Sequence, residues 1–194
     1  MTDGNEDLIA IEGIRQGDAR SFALLYERHR DRVYGFSYRM LRIQSTAEDV
    51  THDVFLILMQ HPEKYQAERG SLLTFLCAMA RNCILNHFRH RRYEVDNEVH
   101  DEETILMRNQ YEPDPLSSLI EQELAMNVNN CIALLPPLQR EVIILRKFLE
   151  LSYREISVVT STDVNVVKAR LHRARLSLAG SLTPYLNVDR RPLS

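Results

Sequence analysis

The 194-residue chain has no tryptophan, three cysteines, six glycines and seven prolines. Cys77, Cys83 and Cys131 are odd in number and lack a C-x-x-C spacing, so a disulfide framework is not expected and they read as small buried hydrophobes. Cys83 and His87 stand four apart, but no further ligand pair is spaced to complete a tetrahedral site. No metal or cofactor is therefore expected, and the spacing assigns no sensing role to Cys77, Cys83 or His87. A glycine-rich phosphate loop is missing, and His52 and Asp53 are adjacent rather than metal-spaced. Those two absences remove the machinery of a metal-dependent hydrolase, and the expectation is a protein that is not an enzyme. No apolar run approaches the ~20 residues that span a bilayer. The opening segment MTDGNEDLIA is acidic and lacks a signal peptide's apolar stretch. A soluble, cytoplasmic chain without membrane insertion is expected. A surplus of positive charge is missing too: 24 basic residues against 27 acidic give a formal net charge of −3. Strong unassisted nucleic-acid binding, which scales with clustered cations, does not fit that balance.

What is present is helical pattern. Over 17–43, Phe22, Leu25, Tyr26, Val33, Phe36 and Met40 recur at spacings of an amphipathic helix. STAEDVTHDVFLILMQ opens with the pattern of a capping box, Ser45 and Glu48, which predicts the start of another helix. HPEKYQAERGS, 61–71, reads as a loop punctuated by Pro62 and Gly70. From Ser71, the stripe Leu72, Phe75, Leu76, Met79 and Cys83 marks a helix that runs into HFRHRRY. Residues 94–118 then shift to acids with little apolar periodicity. Such a stretch cannot bury enough surface to offset its ordering entropy, and it reads as a tether. Helical pattern resumes in LSSLIEQELAMNVNNCIALL and LPPLQREVIILRKFL, the second with proline in its first turn. Neither strand alternation nor an internal repeat is visible. The expected fold is all-α: two small helical domains, 17–93 and 119–183, on a flexible acidic linker, with tails at 1–16 and 184–194.

The segment VVKARLHRARLSL carries Lys168, Arg170, His172, Arg173 and Arg175 without a carboxylate. On a helix beginning near Asp163, Val164, Val167, Leu171, Ala174 and Leu178 form a core-facing seam. The opposite side presents Asn165, Val166, Lys168, Ala169, His172 and Arg173. A merely solvated face more often carries Glu–Lys pairs. A helix in a DNA major groove needs cations for phosphates, polar forks for base edges and small apolar groups for thymine methyls. Just upstream, SYREISVV supplies a short helix with Ser152 and Glu155 as capping box. Thr160-Ser161-Thr162 is a tight turn that places Ser161 at a position where a positive φ costs energy, and Asp163 caps the second helix. The arrangement is that of a helix-turn-helix.

Two further constellations stand in the first half. Between Arg81 and Arg92 lie four arginines and two histidines with no acid, and Asn82, Asn86 and Arg89 share one side of that helix. Paired amides can hydrogen-bond an exposed base edge, while Tyr65 and Arg69 from the adjacent loop offer groups for stacking on an unpaired base. Asp49, His52 and Asp53 form an acidic patch opposite the core positions Val50, Val54 and Leu58. With Phe55, Ile57 and Met59 widening the apolar coverage, a protein–protein surface is indicated.

In this order the pieces resemble the sigma factors of bacterial RNA polymerase, specifically the two-domain extracytoplasmic-function group associated with stress responses. The resemblance rests on STAEDVTHDVFLILMQ, ERGSLLTFLCAMARNCILNHFRHRRY, LPPLQREVIILRKFLELSYREIS and VVKARLHRARLSL, which cover most of residues 17–180. It implies a transcription-initiation subunit that binds the polymerase core at the clamp and flap. Asp49, His52 and Asp53 would lie at the clamp contact, and Tyr65, Arg69, Arg81, Asn82, Asn86 and Arg89 at the melted −10 element. Ser152, Tyr153, Arg154, Asn165, Val166, Lys168, Ala169, His172 and Arg173 would lie at the duplex −35 element. It also implies a cognate anti-sigma factor. The chain departs from the family pattern in Phe75, where tryptophan is usual, in His52, where glutamine is usual, and in the turn, which lacks the usual glycine. The competing expectation is a stand-alone helix-turn-helix regulator, dimeric and tightly DNA-binding, which leaves the 81–92 cluster unexplained.

Overall fold

The computed structural model describes residues 3–97 and 119–186, and every regular element among them is helical. The first half holds α1 (Asp3–Arg15), α2 (Ala19–Leu41), α3 (Gln44–Gln60) and α4 (Leu72–Asn97), with 3-10 turns at Pro62–Lys64 and Ala67–Arg69 between α3 and α4. The second half holds α5 (Leu119–Ala133), α6 (Pro137–Lys147), α7 (Tyr153–Thr160) and α8 (Val164–Leu186). Residues 98–118 of the expected tether and 187–194 of the expected tail lie outside the described residues.

Helix α1 corrects the reading of 1–16 as a tail. It buries Ile11 and Ile14 against α2, and it also buries a carboxylate. Asp7 accepts from His29 Nε2 on α2 at 3.0 and 3.1 Å through its two oxygens, and from Arg28 at 2.9 Å. Burial pushes the Asp7 carboxyl up, but the His29 and Arg28 hydrogen bonds and charges outweigh it and hold the group below its ordinary value of 3.8. Two apolar anchors and one buried ionic cluster make a docked helix from a segment whose composition looks like a solvated end. The α1–α2 corner depends on glycine: Gly17 has φ 82°, and a Cβ on Gly13 would lie 2.2 Å from Ser21 Oγ. Asp18 then caps α2, accepting the amides of Arg20 and Ser21 at 3.1 Å each.

Two other expectations change at helix ends. Helix α3 starts at Gln44 after Ile43, which makes no side-chain cap, so Ser45 lies inside the helix rather than capping it. Glu48 is instead taken by the Gln44 amide at 3.0 Å, an i,i+4 pair that outcompetes the reach back to the helix start. Helix α4 continues through Asn97, so 94–97 belong to the helix and not to the tether. Helix α8 likewise runs past 183 to Leu186.

The first half packs α2, α3 and α4 around Leu25, Val33, Phe36, Val54, Phe55, Leu58, Leu72 and Leu76. Phe55 is core rather than surface: it meets Tyr26 edge-on at 4.8 Å and Phe22 at 6.5 Å. The second half packs α6, α7 and α8 around Val142, Ile144, Leu145, Ile156, Val167, Leu171 and Ala174. The halves also pack on each other, α4 against α7 and α2 against α6, and one cluster of buried side chains runs through both.

Candidate nucleic-acid interface

The helix-turn-helix forms as its chemistry dictates. Ser152 Oγ accepts the Glu155 amide at 3.2 Å while Glu155 Oε2 accepts the Ser152 amide at 2.9 Å, a reciprocal cap. Helix α7 ends on Ser161 at φ 51°, the left-handed conformation that glycine adopts without strain. Serine is tolerated because the turn is tied from several sides. The Ser161 amide donates to Val158 O and the Thr162 amide to Ser157 O. The Thr160 hydroxyl donates to Ile156 O at 2.7 Å and pairs with the Thr162 hydroxyl at 2.8 Å. Asp163 then caps α8, accepting the Asn165 amide at 2.7 Å. Val167, Leu171 and Ala174 are buried, which rotates Asn165, Val166, Lys168, Ala169, His172 and Arg173 outward as one exposed strip. Ser152 and Arg154 are exposed at the start of α7. Tyr153 is half-buried, its ring beneath the Arg146 guanidinium at 5.3 Å.

The α4 cluster is divided by its surroundings. Asn82, Asn86 and Arg89 are exposed on one side, and Arg89 donates to the side-chain oxygen Oδ1 of Asn86 at 3.4 Å. Arg69 is exposed in the preceding turn. Tyr65 is corrected: its ring is only 6% exposed and packs 5.7 Å from Phe75, and its hydroxyl donates to Gly70 O at 3.3 Å. It props the 61–71 loop from inside and presents no face for a base to stack on in this conformation. Phe75, the residue that stands for tryptophan, is its partner in that task. Arg81 is also engaged, its guanidinium donating to the buried carboxylate of Glu141 on α6.

On α3, Asp49, His52 and Asp53 are exposed together, with Val50, Val54 and Leu58 buried behind them. A shallow groove beside them is lined by Tyr26, Arg30, Tyr34, Gln44, Glu48, Thr51 and His52. Cys77 and Cys131 are buried and Cys83 is half-buried. Burial pushes the Cys77 thiol up to about 12, well away from thiolate reactivity. Among the described residues no three His, Cys, Asp or Glu side chains gather as a metal ion would require. No described helix is long and apolar enough to cross a membrane.

Sequence reasoning missed Glu141 and Asp7 as structural partners, and saw Glu155 only as the α7 cap and not as the acceptor of the Ser71 and Thr74 hydroxyls. For Glu141 a signal existed: it is the one carboxylate set into the apolar run of PLQREVIILRK, and it faces the core rather than solvent. A lone charge in such a position requires a buried cation.

The Sigma-70 region 2 family matches residues 25–93, and the Sigma-70, region 4 family matches residues 125–178. The ECF RNA polymerase sigma factor SigW of Bacillus subtilis is 30% identical over 177 residues, covering 89% of this chain and 94% of its own. The RNA polymerase sigma-H factor of Pseudomonas aeruginosa is 26% identical over 191 residues, covering 96% and 98%. In fold, the chain matches the sigma factor RpoE solved in complex with the anti-sigma factor NepR from Bartonella quintana. That match has a TM-score of 0.72 at 22% identity over 89% of this chain and 100% of the other. With both domain signatures in order and a curated relative aligned along nearly its whole length, this chain belongs to the extracytoplasmic-function sigma factors of bacterial RNA polymerase.

Proposed function

We propose that the exposed strip of α8, with Ser152 and Arg154 at the start of α7, reads the −35 element as duplex, and that Asn82, Asn86, Arg89 and Arg69 hold the melted −10 strand. The observation that carries this reading is the separation of duties on α8: Val167, Leu171 and Ala174 of its apolar seam are buried while Asn165, Val166, Lys168, Ala169, His172 and Arg173 are exposed. Lys168 and Arg173 suit phosphates or guanine edges, Asn165 an adenine edge, and Val166 and Ala169 a thymine methyl. On α4, two amides one turn apart can grip the edges of a base pulled from the stack, and trapping it offsets a few kcal/mol of unstacking. The loop around buried Tyr65 sets the wall of that site, and Arg81 joins it once released from Glu141. Asp49, His52 and Asp53 on α3 form the contact with the polymerase clamp, and the second half meets the flap.

The chain performs no covalent step; the polymerase does. With net charge −3 it binds DNA weakly alone, and two weak contacts gain force when the polymerase makes them intramolecular. A cognate anti-sigma factor restrains it in the cytoplasm, as NepR is found bound to the Bartonella RpoE.

Purified bacterial core polymerase, fragmented genomic DNA and this protein test the reading in a pull-down and run-off assay. Start-site-specific transcripts that appear only with the protein present are expected, and replacing Asp49 and Asp53 together by alanine should lower retention on core. A protein that ignores core polymerase yet shifts duplex DNA on its own would instead be a stand-alone regulator.

A further inference from the structure

We propose that α1 is a positioning element for the −10 loop, and that through Arg15 it sets where Arg69 stands relative to Asn82 and Asn86. The proposal rests on the promoter-recognition reading of that loop and of α4 given above.

Within the loop 61–71 the amides of Lys64, Tyr65, Arg69 and Gly70 each donate three residues back, to His61 O, Pro62 O, Gln66 O and Ala67 O. Such turns shape a loop without fixing its place on the fold. Tyr65 supplies the fixing. Its ring packs on Phe75 of α4, its hydroxyl donates to Gly70 O at 3.3 Å, and its carbonyl accepts from Arg15 Nη2 of α1 at 3.5 Å. Gly70 follows Arg69 directly and holds φ 143°, a conformation that side chains rarely adopt, so the phenol pins the peptide beside Arg69. Burial, then the charges of Asp7 and Glu68, push the Tyr65 phenol up, which keeps it protonated as a donor.

Helix α1 is a fixed reference for that post. Ile11, Ile14 and the Asp7 cluster bind it to α2. It packs on the Pro62–Lys64 turn, and a groove of about 310 Å³ runs between them, with Leu8, Ile11 and Arg15 on one wall and Tyr65, Gln66 and Ala67 on the other. The guanidinium is aimed by its own helix. Gln16 Nε2 donates to Glu12 Oε1 at 3.2 Å and Arg15 Nη1 to Glu12 Oε2 at 3.4 Å, leaving Nη2 for the loop. The Arg15 side chain is 42% exposed and its contact with Tyr65 O is long. Its removal therefore opens no cavity and strands no buried charge; it shifts the loop among positions and leaves the domain folded. A loop that spends less time in the competent position weakens every contact made from it by that fraction. A segment whose sequence reads as a tail thus governs how the melted strand is met.

Arg15→Ala, Arg15→Lys and Tyr65→Phe in the full chain test this. In hydrogen exchange of the free protein, Arg15→Ala should speed the Arg69 and Gly70 amides about fivefold while α2, α3 and α4 keep their protection. In the polymerase holoenzyme, on DNA with a fluorescent base at the melted position, it should slow opening about fivefold. Retention on core and binding to the −35 duplex should match wild type. Tyr65→Phe, which keeps the ring and drops the hydroxyl tie, should behave alike, and Arg15→Lys, which keeps a charged donor, should recover most of the rate. In an Arg69→Ala background, Arg15→Ala should slow opening by no more than about twofold, because the two residues share one route. Loop amides that exchange as in wild type would overturn the positioning role, whatever the opening rate. A full fivefold loss retained in the Arg69→Ala background would overturn Arg69 as the route. Faster loop exchange with opening unchanged would instead remove the −10 reading of the loop and leave the hold of α1 on it standing.

Discussion

The two helices proposed to face DNA, α4 and α8, differ in how much of their surface the protein keeps for itself. On α8 one side is core and the opposite side is free of the fold, so Asn165, Lys168, His172 and Arg173 are left exposed. On α4 a single helix supplies core positions, the wall of a loop, a seat for the second half and the exposed amides. The lesson is that a recognition surface is legible in sequence when burial and recognition use separate faces. It becomes obscured when a side chain such as Arg81 has a partner inside the chain. The first half also closes a buried ionic cluster within itself at α1, whereas the buried carboxylate of the second half, Glu141, takes its cation Arg81 from the first.

That contrast can be broken most sharply at Asp7. Asp7→Ala leaves His29 buried without its acceptor and should destabilise the first half by about 2–3 kcal/mol, while the second half, observed by its own amide-exchange protection, stays unchanged. The pH dependence has a definite sign. Because the folded Asp7 carboxyl lies below its ordinary 3.8, its stabilisation is fully present above that value and is lost as pH falls through the lower, folded value. Urea melts between pH 3 and 6 should show a smaller acid-side loss in Asp7→Asn than in wild type, the remainder coming from carboxylates such as Glu155 that are also held below their ordinary values.

The recognition faces come next. Arg173→Ala should cost about 1–3 kcal/mol of promoter binding, roughly tenfold or more in −35-dependent initiation, with thermal stability unchanged. Asn82→Ala should leave initial promoter binding intact and slow strand opening, measured with a fluorescent base at the melted position. Identical opening rates would remove Asn82 from base capture. If both variants impaired the same step, the division of labour between α4 and α8 would fail.

The smallest effect is expected at the turn. Ser161→Gly relieves a positive φ and should raise stability by up to about 1 kcal/mol, visible as a modest rise in melting temperature without a change in DNA reading. A loss of stability would mean that the hydroxyl ties around Thr160 and Thr162 favour serine.

Most of the helices were readable because their signals are local. The seam Val164, Val167, Leu171 and Ala174, the Ser152–Glu155 box and the Asp163 cap each involve residues within a few positions of one another. Where local readings went wrong, a competitor lay nearby or far off. Ser45 lost its cap because Gln44 claims Glu48. Residues 3–15 read as a solvated tail because what anchors them, His29 and Arg28, stands more than twenty positions away. Tyr65 read as an exposed stacking group because nothing in HPEKYQAERGS says that its ring turns inward onto Phe75.

By itself, then, the sequence determined the helical architecture, the helix-turn-helix and which face of α8 is left exposed, since helical periodicity and caps are short-range properties of the chain. Only the tertiary structure decided that α1 is docked, that Tyr65 is internal and that Arg81 answers to Glu141 sixty residues away. Burial of a charge or a ring is a property of what surrounds it in space, and that surrounding comes from segments whose pairing no local pattern encodes.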